Sequence, residues 1–170
     1  MKNHRILVTA IAVSLFVVSC STMYIRPAIE PVIFKQAIPG GASLIFKTAL
    51  KLLPMLGYKI QGSDPSAGTI TTAPYAMKID PSQCDCGSAM GLPIIKSGGI
   101  KAKVYFILAV TDNEMMVKAD IQPELDDIMS TLAAAGITYT CVSKGALEQV
   151  FARQFVEGMK AKALQLMFGR

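Results

Sequence analysis

The run Ile100, Ala102, Val104, Phe106, Leu108 and Val110, alternating with Lys101, Lys103, Tyr105, Ile107 and Ala109, constrains this chain most. A period of two over that length sets one apolar face and one mixed face on a strand. Thr111-Asp112-Asn113 supplies a turn, and Met115, Val117, Ala119 and Ile121 then alternate with Glu114, Met116, Lys118 and Asp120. The two runs are expected to pair as an antiparallel hairpin whose apolar face has to be covered.

The cover is expected from two amphipathic helices. Ser43, as N-cap, precedes Leu44, Ala49, Leu50, Leu53 and Leu56, and Gly57 ends that helix, with Pro54 distorting its last turn. Near the other end, Ser143 precedes Leu147, Val150, Phe151, Gln154, Phe155, Gly158, Ala161 and Leu164, a second long helix. Between them, Tyr58, Ile60 and Gly62 alternate with Lys59 and Gln61, the 63–68 stretch carries turn residues, and a threonine-rich strand occupies 69–73. The segment 75–79 extends that strand past Pro74, which a sheet tolerates only at an edge or bulge. The 123–140 stretch is ambiguous: Leu125, Ile128, Met129 and Leu132 fit a short helix, and Ile137-Thr138-Tyr139-Thr140 reads as a strand or a loop. Helix, hairpin, hairpin, helix gives an α+β fold: a two-layer sandwich with an antiparallel sheet of about four strands and both helices on one face.

The first twenty residues carry a different message. Lys2, His4 and Arg5 precede an apolar run over 6–18, followed by Ser19 and Cys20. That order is the anatomy of an export signal, and the run is too short for a membrane span. Val17-Val18-Ser19-Cys20 resembles the lipobox of bacterial lipoproteins. The resemblance implies a signal peptide over 1–19, cleavage after Ser19, and a diacylglyceryl group and fatty acyl chain (palmitate-type) on Cys20. Ser21, which is not Asp, implies by enterobacterial sorting rules the outer membrane, with the domain facing the periplasm. Two or more acyl chains hold a protein stably where one does not. A stalk is expected over 20–42, where Pro27, Pro31 and Pro39 interrupt any periodicity, although Ile25, Ile29, Val32, Ile33 and Phe34 are more aliphatic than a free linker needs. One domain then occupies 43–170.

Composition narrows the function. Mean hydropathy of +0.43 is inflated by the signal. Without Lys2 and Arg5 the formal charge of +5 falls to +3, and no basic run appears, so nucleic acid is not an expected partner. His4 is the only histidine of the 170 residues and leaves with the signal. The mature chain therefore has no Ser-His-Asp or Cys-His constellation and no His-ligated zinc. No catalytic residues are assigned, and the chain is not expected to be an enzyme.

Leu56-Gly57-Tyr58, Ile60, Ser63-Asp64 and Gly68-Thr69-Ile70-Thr71-Thr72 resemble the helix-and-hairpin opening of small bacterial lipoprotein domains. They are similar to the helix-grip domains in the C subunit of the outer-membrane β-barrel assembly machinery, with a single such domain here. Cys84-Asp85-Cys86-Gly87 and the stretch beginning Cys141-Val142-Ser143-Lys144 look like a recurring pattern of uncharacterised lipoproteins of this type.

With Cys20 consumed by lipid, three thiols remain in a compartment that favours disulfides. Cys141 is expected to pair with Cys84 or with Cys86, whereas a bridge within Cys84-Asp85-Cys86 closes a small strained ring of the labile kind. The alternative is a soft-metal site on Cys84, Cys86 and Cys141, helped by Met77 or Met90, within the loop 84–99. The glycines Gly87, Gly91, Gly98 and Gly99 lack the Gly-Lys-Ser/Thr of a phosphate cradle and read as a mobile loop. Glu124 with Asp126-Asp127 is explained by a helix dipole before a cation. The functional expectation is thus a lipid-anchored, non-catalytic envelope module that binds another envelope protein through a sheet face or edge. It needs no cofactor beyond the covalent lipid. The alternative is a metal or small-ligand module built on the Cys84 loop.

Overall fold

The computed structural model describes residues 24–89, 91–124 and 138–168, with 163–168 as helix backbone only. The signal segment, Cys20, Met90, Asp126-Asp127 and the rest of 125–137 lie outside the described residues. In chain order the elements are β1 (Tyr24–Ile25), β2 (Phe34–Ala37), α1 (Ala42–Met55), β3 (Ile60–Asp64), β4 (Thr69–Thr72) and β5 (Tyr75–Ile79). There follow β6 (Cys84–Asp85), β7 (Ser88–Ala89), β8 (Leu92–Pro93), β9 (Ile100–Thr111), β10 (Glu114–Pro123), β11 (Val142–Ser143) and α2 (Ala146–Phe168).

The alternating run forms the centre of the molecule. β9 and β10 pair antiparallel from Thr111 opposite Glu114 to Ala102 opposite Pro123. Ala102, Val104, Phe106, Leu108 and Val110 of β9 are buried together with Met115, Val117, Ala119 and Ile121 of β10. Ile45, Phe46, Ala49, Leu52 and Leu53 of α1 and Leu147, Phe151, Ala152 and Phe155 of α2 complete that core, so both helices lie on one face. Phe106 stacks on Phe151 with ring centroids 4.3 Å apart, and Tyr58 meets Phe151 edge to face at 4.9 Å. Where the helices cross, a Cβ on Gly158 would stand 3.0 Å from a Leu52 methyl, so the small residue sets how closely they approach.

The α+β class stands, but the sheet has six strands rather than four, in the order β2-β10-β9-β4-β3 with β5 also on β9. Two additions explain the difference. β4 and β5 lie end to end along one edge of β9, with Thr71 opposite Ile107 and Tyr75 opposite Val104. Pro74 has no N–H to contribute, and beside this break the Thr72 hydroxyl accepts the buried Phe106 N–H at 2.9 Å. The second addition is β2, which pairs with β10 from Phe34 opposite Val117 to Ala37 opposite Glu114. Of the 20–42 stretch read as a stalk, the described part thus carries two strands of the domain, β1 and β2. Its aliphatic residues had signalled as much, but too few of them fall in a regular alternation to mark a strand.

The helix start also differs from the expectation. Gly41, not Ser43, is the N-cap of α1 and has no side chain to cap with. The Asp112 carboxylate in the β9–β10 turn accepts the Ala42 N–H at 2.7 Å instead. Asn113, with φ of 61°, accepts from Gly40 N–H through its side chain and donates its own N–H to the Gly40 carbonyl. The hairpin turn is therefore bolted to the start of α1 by residues about seventy positions away.

Candidate functional site

Three surfaces carry side chains that could do something beyond holding the fold. The first is a cap at the end of the hairpin distant from its turn. Cys86 and Cys141 form a disulfide there, across a sequence separation of 55. Cys141 bridges to Ile121 at the end of β10, and β11 pairs with β6 so that Ser143 stands opposite Cys84. The pairing left open between Cys84 and Cys86 thus falls to Cys86. Cys84 alternates to the interior, is 1% exposed, and is the one free thiol among the described residues. Burial pushes that thiol up to about 12, so it stays protonated and is a poor nucleophile and a poor metal ligand. Of the three thiols weighed as a soft-metal set, two are bonded to each other and the third faces the core. No group of three or more His, Cys, Asp or Glu suited to a metal occurs among the described residues.

The loop 84–99 is more structured than its glycines suggested, because β7 pairs with β8 and with β1. β1 is fastened by one side chain. The Tyr24 hydroxyl accepts the Thr140 N–H at 3.0 Å and lies 3.1 Å from the Thr140 carbonyl and 3.3 Å from that of Cys86, on both sides of the disulfide. Its ring packs edge to face on Tyr139 at 5.0 Å. Tyr139 is itself buried, its hydroxyl has no partner among the described residues, and burial raises its pKa above the ordinary phenol value. Gly87, at φ of 74°, makes the approach possible: a Cβ there would collide with the Ile25 carbonyl oxygen. Lys144 fastens the neighbouring Asp80-Pro81-Ser82 turn through its ammonium on the Pro81 carbonyl at 2.6 Å. Within that turn the Ser82 hydroxyl holds the Asp80 carboxyl below the usual carboxylate range.

A buried carboxylate sits close by. Glu148, fully buried in the first turn of α2, accepts the Ser143 hydroxyl at 2.6 Å and the Ala119 N–H at 3.0 Å. Its second bond supplies what a strand would have supplied. β2 covers β10 only as far as Val117, and Cys141 reaches it again at Ile121, so Glu148 satisfies the exposed ladder between them. Sequence reading passed over Glu148 and Tyr24. Glu148 was findable, because it lies on the same helical face as Phe151, Ala152 and Phe155; Tyr24 gave no comparable signal.

The second surface is a groove of about 220 Å³ between the sheet-edge strand β2 and α2, lined by Phe34, Gln36, Gln149, Arg153, Val156, Glu157 and Lys160. Its walls set Arg153 and Lys160 with Glu157 beside the apolar Phe34 and Val156.

The third is the sheet face turned away from the helices. The register sets Tyr105 beside Asp120, Ile107 beside Lys118 and Ala109 beside Met116, with Lys103 between Gln122 and Ala76 and Lys101 against Lys78. Lys35 joins the same face opposite Met116 and pairs with Glu114 at 3.8 Å. This face therefore carries five lysines beside a half-buried apolar strip of Tyr105, Ile107, Ala109 and Met116, together with four carboxylates: Glu114, Asp120, Glu124 level with Lys101, and Asp64 opposite Thr69. The Tyr105 hydroxyl donates to Gln122 at 3.0 Å, which fixes the ring along the face. Tyr75 and Tyr139 pack elsewhere, against Tyr58 and Tyr24 respectively.

No family model matches the chain, and no curated protein matches it in sequence. Among solved structures it is similar to a DUF4468 family protein from Bacteroides ovatus, with 19% identity and a TM-score of 0.32. That match covers 56% of this chain and 57% of the other, so this chain spans just over half of its length. It is also similar to a TBP-like protein from Parabacteroides distasonis, with 14% identity and a TM-score of 0.35, over 82% of this chain and 95% of that one.

Proposed function

We propose that this protein is a lipid-anchored, periplasm-facing module of the bacterial envelope, attached through Cys20, that binds an acidic surface of another envelope protein and catalyses nothing. The observation that carries the binding role is the open sheet face. Both helices pack on the opposite side, and this face presents a half-buried apolar strip with Lys78, Lys101 and Lys103 at one end and Lys118 and Lys35 along one flank. A strip of that kind fits the pattern of a contact surface, in which aromatic and methionine side chains lie centrally and charge sits at the rim. The anchor rests on Val17-Val18-Ser19-Cys20 and on the basic and apolar residues before it. No helix among the described residues is long and apolar enough to cross a membrane. The likeness to the helix-grip domains of the assembly-machinery C subunit belongs to the same proposal, and the order helix, hairpin, hairpin, helix supports it.

The test is site-specific photocrosslinking in the native host. A photoreactive residue at Tyr105 is expected to give one discrete adduct with an envelope protein, and the same residue at exposed Lys51 on α1 is expected to give none. Charge reversal at Lys101, Lys103 and Lys118 is expected to abolish the Tyr105 adduct. Equal labelling from both positions, or an adduct indifferent to the three reversals, would overturn the sheet-face reading.

A further inference from the structure

We infer that the disulfide-bonded cap is the membrane-contacting end of the domain, so that the protein stands end-on on the bilayer and has no stalk. The inference rests on the proposed acylation of Cys20 and adds to it an orientation and a lipid-facing surface. Tyr24 is already tied to Cys86 and Thr140. Only Ser21, Thr22 and Met23 separate it from Cys20. Four residues span at most about 14 Å fully extended. Acyl chains on Cys20 begin at the headgroup boundary, so the cap is held against the lipid headgroups whatever path those residues take.

The surface brought there suits the position. Ile25 in β1 is 62% exposed, and Leu92 in β8 is 69% exposed. Leu92 lies two strands from Tyr24, opposite Ala89 in the same register line, which places it about 10 Å away. The two leave opposite faces of the β1-β7-β8 sheet, so a domain that dips the end of this sheet into the headgroups buries both beside the lipid attachment point. At the far end are the Asp112-Asn113 turn and the β3–β4 turn, where Gly68 accepts the Val110 N–H. From Val104, beside the cap, to Thr111 the strand rises about 23 Å, so an end-on domain carries these turns clear of the bilayer. The sheet face that carries Tyr105 and the lysines then stands perpendicular to the membrane and is free to meet another protein.

The chain has no tryptophan, so single insertions report depth without background. The mature protein is purified with its native processing, its intact mass confirmed, and reconstituted into vesicles of brominated phosphatidylcholine containing phosphatidylglycerol as the minority lipid. Leu92→Trp is expected to shift to the blue and to lose most of its emission to the brominated chains. Ala67→Trp, in the β3–β4 turn, is expected to keep its aqueous emission. Quenching of both positions means the domain lies flat, quenching of neither means it is held off the surface, and quenching of Ala67→Trp alone means the reverse orientation; each overturns the inference while the anchor stands. A mass without acyl chains overturns the anchor itself and the inference with it.

Discussion

Removing the Cys86–Cys141 bridge is the perturbation whose size follows most directly from the structure. The bridge joins residues 55 positions apart, and cross-linking a loop of that length removes unfolded-chain entropy equivalent to about 4 kcal/mol at 25 °C. Replacing both cysteines by alanine, which leaves buried Cys84 without a thiol to mispair with, is expected to lose most of that amount. In a domain of this size such a loss lowers Tm by about 8–16 °C. Guanidinium unfolding followed by circular dichroism measures it, and the native protein under reductant is expected to move by the same amount. The neighbouring links temper the local consequence. β6 still pairs with β11, Lys144 still holds the Pro81 carbonyl, and Tyr24 still reaches Thr140, so the folded fraction keeps its native spectrum. A loss below about 1 kcal/mol, or a native protein indifferent to reductant, would refute the view that this bridge is the main long-range tie of the cap.

Glu148→Ala leaves the Ala119 N–H and the Ser143 hydroxyl without their buried acceptor and is expected to cost about 2–4 kcal/mol, whereas Glu148→Gln keeps one acceptor and costs about half as much; thermal unfolding separates the two. Asp112→Ala removes the cap that α1 borrows and is expected to cost about 1 kcal/mol, with Asp112→Asn costing only a few tenths, again by thermal unfolding. Cys84 holds its proton in the folded state well after an unfolded thiol has lost it near 9. Folding therefore retains a proton between pH 9 and about 12, stability falls as pH rises through that window, and the slope is up to about 1.4 kcal/mol per pH unit; comparing unfolding at pH 8 and pH 10 with that of Cys84→Ala checks the sign.

The hairpin, both helices and their common face were legible because each rests on a period that side chains announce: two over 100–121 and about three and a half over 146–162. What escaped has no period. β2 is four residues long, its burial alternates only weakly, and it is a strand because β10 offers it an unpaired edge. The cap of α1 was misplaced because Ser43 satisfies a local rule, while the true acceptor comes from a turn seventy residues on. The cysteines illustrate the same limit: the antiparallel register of β6 on β11, with Ser143 opposite Cys84 and Val142 opposite Asp85, brings Cys141 level with Cys86, and two-residue strands are too short to be read beforehand. Of the proposed contact face, Lys101, Lys103 and Tyr105 were visible as the polar half of an alternation, but their union with Lys35 and Lys78 needed the register.

The central claim is the lipid anchor carrying a disulfide-bonded domain, and intact mass spectrometry of the protein extracted from its native membrane tests it most directly. The expected mass is that of residues 20–170 with a diacylglyceryl group and an amide-linked acyl chain on Cys20. Unfolded without reductant the protein takes up one alkyl group, on Cys84, and after reduction it takes up three. A mass that retains residues 1–19, or that carries no acyl chain, would contradict the anchor, and three alkylated thiols before reduction would contradict the bridge.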